Sequence, residues 1–234
     1  MKYSGIKVIG FDADDTLWDN ETYFRDSENK FCELLKGFAT NSEIIKILFK
    51  NEVNNLKLYG YGVKGFTLSM IETALIISNN SISQSIIQKI ILLGKEMLNK
   101  PVVLLDGVNE VLQELQKSYK LIIATKGDLL DQERKLEKSK LSKYFHHIEV
   151  MSNKEIADYK KLMQHLDVLP NEFLMVGNSL KSDIIPVIDI GGYGIHVPYH
   201  TTWQYEEIKE DNIAENIKFC KINKLIDLLK ILPY

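Results

Sequence analysis

The chain has 234 residues, of which 45% are hydrophobic and 26% are charged, as in ordinary globular proteins of one large or two modest domains. Its 29 basic and 32 acidic residues give a net charge of −3, so the sequence carries no electrostatic signature of a nucleic-acid or anionic-membrane partner. The densest basic stretch, Arg134–Lys143, is interrupted by acids and serines, which predicts the solvated face of a helix.

The cysteines and the hydropathy pattern bound the cellular context. Cys32 and Cys220 lie far apart and lack metal-ligand spacing, which excludes a disulfide framework and favours a reduced compartment. No apolar run approaches the ~18 residues of a membrane span, and the first strand follows the N-terminus too closely for a signal peptide. We therefore expect a cytoplasmic protein.

The first predicted element is a buried strand that ends in a cluster of acids. The apolar run Ile6–Gly10 leads into Phe11-Asp12-Ala13-Asp14-Asp15-Thr16. Asp12 and Asp14 are two residues apart, so extended backbone places both side chains on the same side. Two carboxylates in one small site need a cation between them or a bound proton, which indicates a divalent metal, acid–base chemistry or both. A simple helix cap needs only one such residue.

The next segment, from about residue 18 to residue 101, is helical throughout. Apolar residues at helical spacing predict helices near residues 24–38, 44–49, 68–77 and 86–98. Thr40-Asn41-Ser42-Glu43 predicts a capping box at the start of the second helix. Lys100-Pro101 closes the segment, and we predict no strand within it.

Beyond residue 101, predicted strands alternate with helices. The strands are expected near residues 121–124, 148–150, 173–176 and 194–197, and a terminal helix near residues 222–232. This alternation predicts an α/β fold with a parallel sheet covered on both faces. We expect a Rossmann-like core of residues 1–17 and 102–234 with an inserted all-helical cap of residues 18–101. Because the insert begins directly after the acidic loop, we expect it to cover that loop as a lid.

Three later strand ends also carry polar residues. Thr125-Lys126-Gly127-Asp128 follows the second strand and combines a hydroxyl, free amides and a helix start, which suit an anionic oxygen. Lys154 follows the third strand, and the Gly177–Asp183 segment, which contains Asn178, follows the fourth. Each feature alone is common. Together they indicate one site, because open α/β sheets bind ligands where the loops leave the strands.

In this order, the four strand ends resemble the signature of the haloacid dehalogenase-like superfamily, phosphatase branch, and the insert resembles its type 1 helical cap. The resemblance covers about two thirds of the chain. It implies a Mg²⁺-dependent phosphomonoester hydrolase that acts on a small phosphorylated metabolite through a covalent aspartyl phosphate. A phosphomutase of the same fold and a catalytically silent phosphate-binding protein remain as alternatives. A dehalogenase is disfavoured, because a halide leaving group does not need the proton that Asp14 supplies.

The resemblance also implies which residues react and which bind phosphate. Asp12 is expected to be the nucleophile, and Asp14 to protonate the leaving oxygen and then deprotonate the attacking water. Thr125, Lys126 and Lys154 are expected at the phosphoryl oxygens or the substrate.

The motif lysine has two competitors in sequence. Lys160 and Lys161 follow Lys154 within two turns of the next helix. We favour Lys154 because it precedes that helix at the end of the strand, whereas the other two are expected to be solvated.

The same resemblance implies Mg²⁺ held by Asp12, the backbone carbonyl of Asp14, and the last motif, Asn178 and Asp183. Asn178 stands where an aspartate is usual, which leaves Asp183 as the only carboxylate of that motif and predicts weaker metal binding. Which of these two residues contacts the metal stays open at this point.

Three residues in or near the insert are candidates for substrate recognition. Trp18 follows the acidic loop, and Tyr61 and Lys64 lie in the glycine-rich segment of residues 59–65. Packing at the domain hinge, for Trp18, and a tight turn between helices, for the other two, are the alternatives. The expected oligomeric state is a monomer or a homodimer.

Overall fold

The computed structural model describes residues 3–208, 213 and 215–233, and it divides the chain into two compact units. One unit is drawn from residues 1–21, 102–126 and 133–234, and the other from residues 22–101 and 127–132. The helices of the described residues are α1 Glu21–Leu35, α2 Asn41–Tyr59, α3 Val63–Ile77, α4 Gln84–Asn99, α5 Val108–Leu115, α6 Leu129–Ser139, α7 Ile156–His165, α8 Ile185–Asp189 and α9 Leu228–Ile231. None of them is long and apolar enough to cross a bilayer.

The first unit contains a parallel sheet. Its strands are β1 Val8–Phe11, β2 Lys120–Lys126, β3 His147–Met151, β4 Phe173–Gly177, β5 Tyr193–His196 and β6 Phe219–Lys221. Over the described residues the sheet has six strands in the order β3-β2-β1-β4-β5-β6, all parallel. The predicted α/β fold with a helical insertion after β1 is therefore confirmed.

The central strands β1, β2 and β4 are largely apolar on both faces because helices cover both sides of the sheet. On one face, Ile9, Phe11 and Leu121 belong to a core that includes residues of α5, α6 and α9. On the other face, Val8 and Ile122 pack in a second core with residues of α7 and α8. Neighbouring residues of one strand thus join opposite cores, which explains the uninterrupted hydrophobic runs in the sequence.

The strand order places β1 at the point where the direction of chain winding reverses. The chain continues from β1 to β2 and β3 on one side, and β4, β5 and β6 lie on the other. In open α/β sheets, ligands bind in the crevice at such a switch point, beyond the carboxyl ends of the strands. The loop after β1 and the loop after β4 therefore lie where a ligand site is expected.

The second unit is helical and has its own hydrophobic core. Residues of α1 to α4, among them Phe31, Ile44, Met70 and Ile90, are fully buried against one another. The predicted capping box is confirmed: the Thr40 hydroxyl accepts a hydrogen bond from the Glu43 amide, and the Glu43 carboxylate accepts one from the Thr40 amide.

The end of the first unit differs from the sequence prediction. Residues 219–221 form an edge strand, β6, which the sequence did not predict because three residues are too few to show a periodicity. The single helix expected over residues 222–232 is wrong. The structure has a 3₁₀ turn at Leu225–Asp227 followed by the four-residue α9.

The element after β4 begins with a wide helical turn. Leu180–Ile184 form a π-helical turn, in which the Ile185 amide donates to the Leu180 carbonyl, and α8 follows directly. Such turns insert one extra residue into a helix and are frequent at functional sites. Here the turn contains Asp183.

Candidate active site

Asp12 is the first residue after β1. Its amide donates to the Val176 carbonyl at 2.9 Å, which extends the pairing of β1 with β4 by one residue and fixes the backbone. The carboxylate is buried, and it accepts hydrogen bonds from the Lys154 ammonium and the Thr16 hydroxyl. Burial raises the pKa of Asp12 to about 7, even though Lys154 acts in the opposite direction.

Lys154 lies between β3 and α7, with only 1% of its side chain exposed. Its ammonium contacts Asp12 and donates to Asp183 Oδ1 at 2.6 Å. Burial alone lowers the pKa of this lysine, but the two carboxylates outweigh burial and hold its pKa above the usual value. The side chain is therefore an ammonium that joins the end of β1 to the end of β4.

Asp183 is fixed by the segment that precedes it. Its Oδ2 accepts the Ser179 amide at 2.9 Å, while Oδ1 accepts Lys154. Gly177 makes room for this arrangement, because a Cβ at that position would lie 2.2 Å from Asp183 Oδ2. The glycine of the Gly-Asn-Ser motif is thus required by the close approach of a carboxylate to the backbone.

Thr16 connects the two loops at the switch point. Its hydroxyl lies 3.3 Å from Asp12 Oδ2 and 3.3 Å from Asn178 Oδ1. The backbone carbonyl oxygen of Asn178 lies 3.0 Å from His196 Nε2 at the end of β5. The structure therefore brings Asp12, Asn178, Asp183 and Lys154 together, as the sequence predicts.

Asp14 accepts two hydrogen bonds on one oxygen. The Trp18 indole N–H lies 2.7 Å from Asp14 Oδ1, and the Lys135 ammonium lies 2.9 Å from the same atom. Lys135 belongs to the basic stretch that was expected to be a solvated helix face, and for this residue the expectation is wrong. Only 18% of its side chain is exposed, because α6 turns this position toward the acidic loop.

Asp15 has a different task from its two acidic neighbours. Its backbone is in the left-handed region, with φ 62, and its carboxylate accepts the amides of Asn20 and Glu21. It therefore caps the start of α1.

Thr125 and Lys126 lie at the end of β2. Thr125 is buried beside β1, since β2 pairs with β1 through Ile123 and Phe11, and its hydroxyl donates to the Lys126 carbonyl at 3.2 Å. The Lys126 ammonium donates to Glu206 at 2.6 Å and to Ser182 at 2.9 Å.

Glu206 collects three donors, from Lys126 and from the hydroxyls of Ser179 (2.6 Å) and Ser182 (2.5 Å). Burial raises the pKa of Glu206, but the ammonium and the hydroxyls outweigh it, so the pKa lies below the ordinary value of 4.5. The carboxylate therefore stays ionised and ties the end of β2 to the π-helical turn after β4.

The three recognition candidates have different surroundings. Trp18 is 1% exposed and is held by its indole N–H on Asp14. Tyr61 lies in the bend between α2 and α3. Lys64, in the first turn of α3, donates at 2.9 Å to both oxygens of Asp128, a residue of the same compact unit.

Three side chains of this region have contacts that the sequence did not predict. Thr16 belongs to the Asp-x-Asp-x-Thr motif and carried a signal, although no role was assigned to it. Lys135 and Glu206 carried none, because each reaches its partner across a long sequence separation.

The oxygen atoms at the switch point are of the kind that Mg²⁺ prefers as ligands. Asp12, Asn178 and Asp183 offer carboxylate and amide oxygens from two adjacent strand ends. Across residues 3–208, 213 and 215–233, no group of three or more His, Cys, Asp or Glu side chains is arranged to hold a metal. Mg²⁺ needs no such cage, because it binds one or two carboxylates and keeps waters and substrate oxygens, whereas zinc takes nitrogen and sulfur ligands.

Comparisons with known proteins identify the family of this chain. The family of haloacid dehalogenase-like hydrolases matches residues 6–191. A haloacid dehalogenase-like family hydrolase from Xanthomonas campestris is 38% identical, with a TM-score of 0.83 over 94% of this chain and 87% of that one. N-acylneuraminate-9-phosphatase from Mus musculus is 26% identical over 195 residues, or 79% of each chain.

A more distant structure shares the fold. A hydrolase of this type from Bacillus subtilis, whose crystal structure is bound to magnesium, is 18% identical, with a TM-score of 0.64 over 97% of this chain and 98% of that one. The match of the family to residues 6–191 spans most of the chain. The chain belongs to the haloacid dehalogenase-like hydrolases.

Proposed function

We propose that this hydrolase is a Mg²⁺-dependent phosphatase that acts on a small phosphate ester through a phosphorylated Asp12. The observation that carries the proposal is the buried ammonium of Lys154, which bridges Asp12 and Asp183 at the carboxyl ends of β1 and β4. A buried cation beside a carboxylate nucleophile supplies the positive charge that a dianionic phosphoryl group needs. In this proposal, residues 1–17 and 102–234 form the catalytic core and residues 18–101 form the cap.

Asp12 is the nucleophile in the first half-reaction. Its carboxylate oxygen forms a bond to phosphorus while the bond between phosphorus and the ester oxygen breaks. The electron pair of the broken bond stays with the ester oxygen, which takes a proton from Asp14 and leaves as the alcohol. General acid catalysis of this kind contributes ~10²–10⁴ in rate.

Water completes the second half-reaction. Its oxygen forms a bond to phosphorus, its proton goes to Asp14, and the bond from phosphorus to Asp12 breaks. Inorganic phosphate leaves, and both aspartates return to their starting protonation states. Asp14 thus serves as acid and then as base on the same side of phosphorus.

The remaining site residues would stabilise charge and would not transfer protons. Lys154 and Thr125 would bind the phosphoryl oxygens, because phosphoryl transfer needs positioning and charge stabilisation more than further covalent chemistry. Mg²⁺ would be held by Asp12, the carbonyl of Asp14, and Asn178 or Asp183. When bound, it neutralises phosphoryl charge and orients the group for in-line attack.

Two relatives support the proposed substrate class. N-acylneuraminate-9-phosphatase is a relative at 26% identity, and a predicted phosphoglycolate phosphatase from Haemophilus somnus shares the fold at 18% identity. Both names specify small phosphate esters that carry a carboxylate. We therefore propose a small, acidic phosphorylated metabolite as the first substrate class to test.

The test is phosphate release by the Mg²⁺-loaded protein from a panel of phosphate esters. The panel includes N-acylneuraminate 9-phosphate, phosphoglycolate, sugar phosphates, nucleotides, flavin mononucleotide and nitrophenyl phosphate. We expect turnover of at least one ester, loss of several orders of magnitude in Asp12→Asn, and wild-type turnover in the exposed control Asp106→Asn. Acid-quenched protein should carry phosphate on the peptide that contains Asp12.

Two results would contradict a hydrolase. Transfer of phosphate to a second hydroxyl of the substrate, with none released to water, would indicate a phosphomutase. Binding of Mg²⁺ and phosphate without turnover of any ester would indicate a silent binding protein.

A further inference from the structure

Asp14, the acid and base of the proposed reaction, is held by two donors that converge on one of its oxygens. The indole N–H of Trp18 and the ammonium of Lys135 both reach Asp14 Oδ1, at 2.7 and 2.9 Å. An aspartate side chain otherwise rotates about two bonds, so two donors at one atom restrict its orientation.

Both donors are themselves fixed within the same compact unit as Asp14. Trp18 is 1% exposed, and its backbone forms an isolated β-bridge with Asp14. Lys135 lies on α6 next to Leu136, which is buried in the core against the sheet. The Lys135 ammonium also donates to Asn20 Oδ1 at 2.7 Å, and the backbone N–H of Asn20 donates to the Asp15 carboxylate.

We propose that Lys135 and Trp18 are positioning residues that hold the Asp14 carboxylate through Oδ1 in the orientation its proton transfers require. This inference rests on the proposed function. One donor is an ammonium and the other an indole N–H, and both reach the same oxygen. Removal of either donor should therefore allow the carboxylate to rotate away from the leaving oxygen.

Loss of either donor to Asp14 should slow the reaction by an amount that depends on the leaving group. An aliphatic alcohol leaves slowly without a proton, whereas a dinitrophenolate leaves readily as an anion. A displaced Asp14 thus slows the first half-reaction for an alkyl phosphate and leaves it nearly unchanged for a dinitrophenyl phosphate. The second half-reaction, in which Asp14 deprotonates water, slows for both.

These two effects are separated by steady-state constants. The value of kcat/KM reports the steps up to release of the leaving group, and kcat for the dinitrophenyl ester includes hydrolysis of the phosphorylated Asp12. In Lys135→Met we expect kcat/KM for an alkyl phosphate to fall about 10–10²-fold, the loss that a displaced catalytic group causes. We expect kcat/KM for the dinitrophenyl ester to stay near wild type.

A second readout does not depend on turnover of the alkyl ester. Because water attack slows in Lys135→Met, phosphorylated Asp12 should accumulate with the dinitrophenyl ester and be detected by mass spectrometry after acid quench. Trp18→Phe removes the other donor and should change both readouts in the same direction. Lys138→Met, an exposed lysine on the same helix, is the matched control and should behave as wild type.

The outcomes separate this inference from the proposed function. Failure of wild-type protein to hydrolyse either ester would overturn the proposed function. If the wild type turns over both esters, the positioning role of Lys135 is overturned by either of two results: kcat/KM in Lys135→Met falls equally for both esters, or it does not fall at all. A merely structural lysine does not discriminate between leaving groups.

Discussion

Replacing Lys154 with methionine is expected to destabilise the core unit severely. Methionine keeps much of the aliphatic volume of the side chain but removes the ammonium that contacts Asp12 and Asp183. The lysine and Asp183 side chains are each 1% exposed, so solvent cannot replace the lost charge. Removal of one partner from a buried ion pair costs about 3–5 kcal/mol, because the remaining charge stays buried and uncompensated.

This cost corresponds to a large shift in the melting temperature. For proteins of this size, 1 kcal/mol lowers the melting temperature by roughly 2–4 °C, so Lys154→Met should lower it by about 6–20 °C. The assay is urea and thermal unfolding in chelator, followed by circular dichroism. Lys161→Met is the matched control, because Lys161 lies on the neighbouring α7 and is exposed, and a surface substitution changes stability by only about 0.5 kcal/mol.

A second variant tests whether charge causes the loss. Asp183→Asn added to Lys154→Met removes one of the two facing carboxylates and should restore part of the stability. Added Mg²⁺ should stabilise Lys154→Met more than wild type, because the metal can replace the lost positive charge. Equal stability of Lys154→Met and Lys161→Met would show that the ammonium does not stabilise the fold. Further destabilisation of the Lys154→Met protein by Asp183→Asn would show that unpaired charge is not the cause of the loss.

Three further predictions concern the last motif and its surroundings. Glu206→Gln should lower the free energy of unfolding by about 1–3 kcal/mol well above pH 4.5. Because the folded state lowers the pKa of Glu206, this difference from wild type should shrink as the pH falls below 4.5, and urea unfolding across this range measures it. Gly177→Ala should lower turnover about 10²-fold by displacing Asp183, whereas Gly5→Ala, which has open space around its Cβ, should not, as phosphate-release assays will show. Asn178→Asp should tighten Mg²⁺ binding roughly tenfold by adding a negative ligand, as measured by isothermal titration calorimetry.

The central strands β1, β2 and β4 were predictable because they are buried on both faces and contain short apolar runs. Four of the six strands found in the described part of the chain also end in chemically distinct residues, and these residues indicate the site without any tertiary information. The edge strand β6 was missed because its pairing with β5 depends on tertiary contact rather than on the local sequence.

The partners of the site residues were less predictable than the residues themselves. Lys126 was expected at the substrate, and its pairing with Glu206, 80 residues later, left no local pattern. Lys135 lies in a charged helical stretch whose spacing cannot tell which lysine faces Asp14, 121 residues earlier. Periodicity describes one element at a time, whereas these pairs depend on how elements meet.

The charges of the site are divided between two lysines with separate tasks. Lys154 serves the nucleophile Asp12 together with Asp183, and Lys135 serves Asp14. Among the residues expected at the metal, the two carboxylates of Asp12 and Asp183 and the ammonium of Lys154 leave one net negative charge, which favours a cation without binding it as tightly as a site with more acids. Asn178 adds an oxygen ligand but no charge. Because a phosphate dianion must enter the same site, a metal held by few protein charges keeps more of its own positive charge for the phosphoryl oxygens.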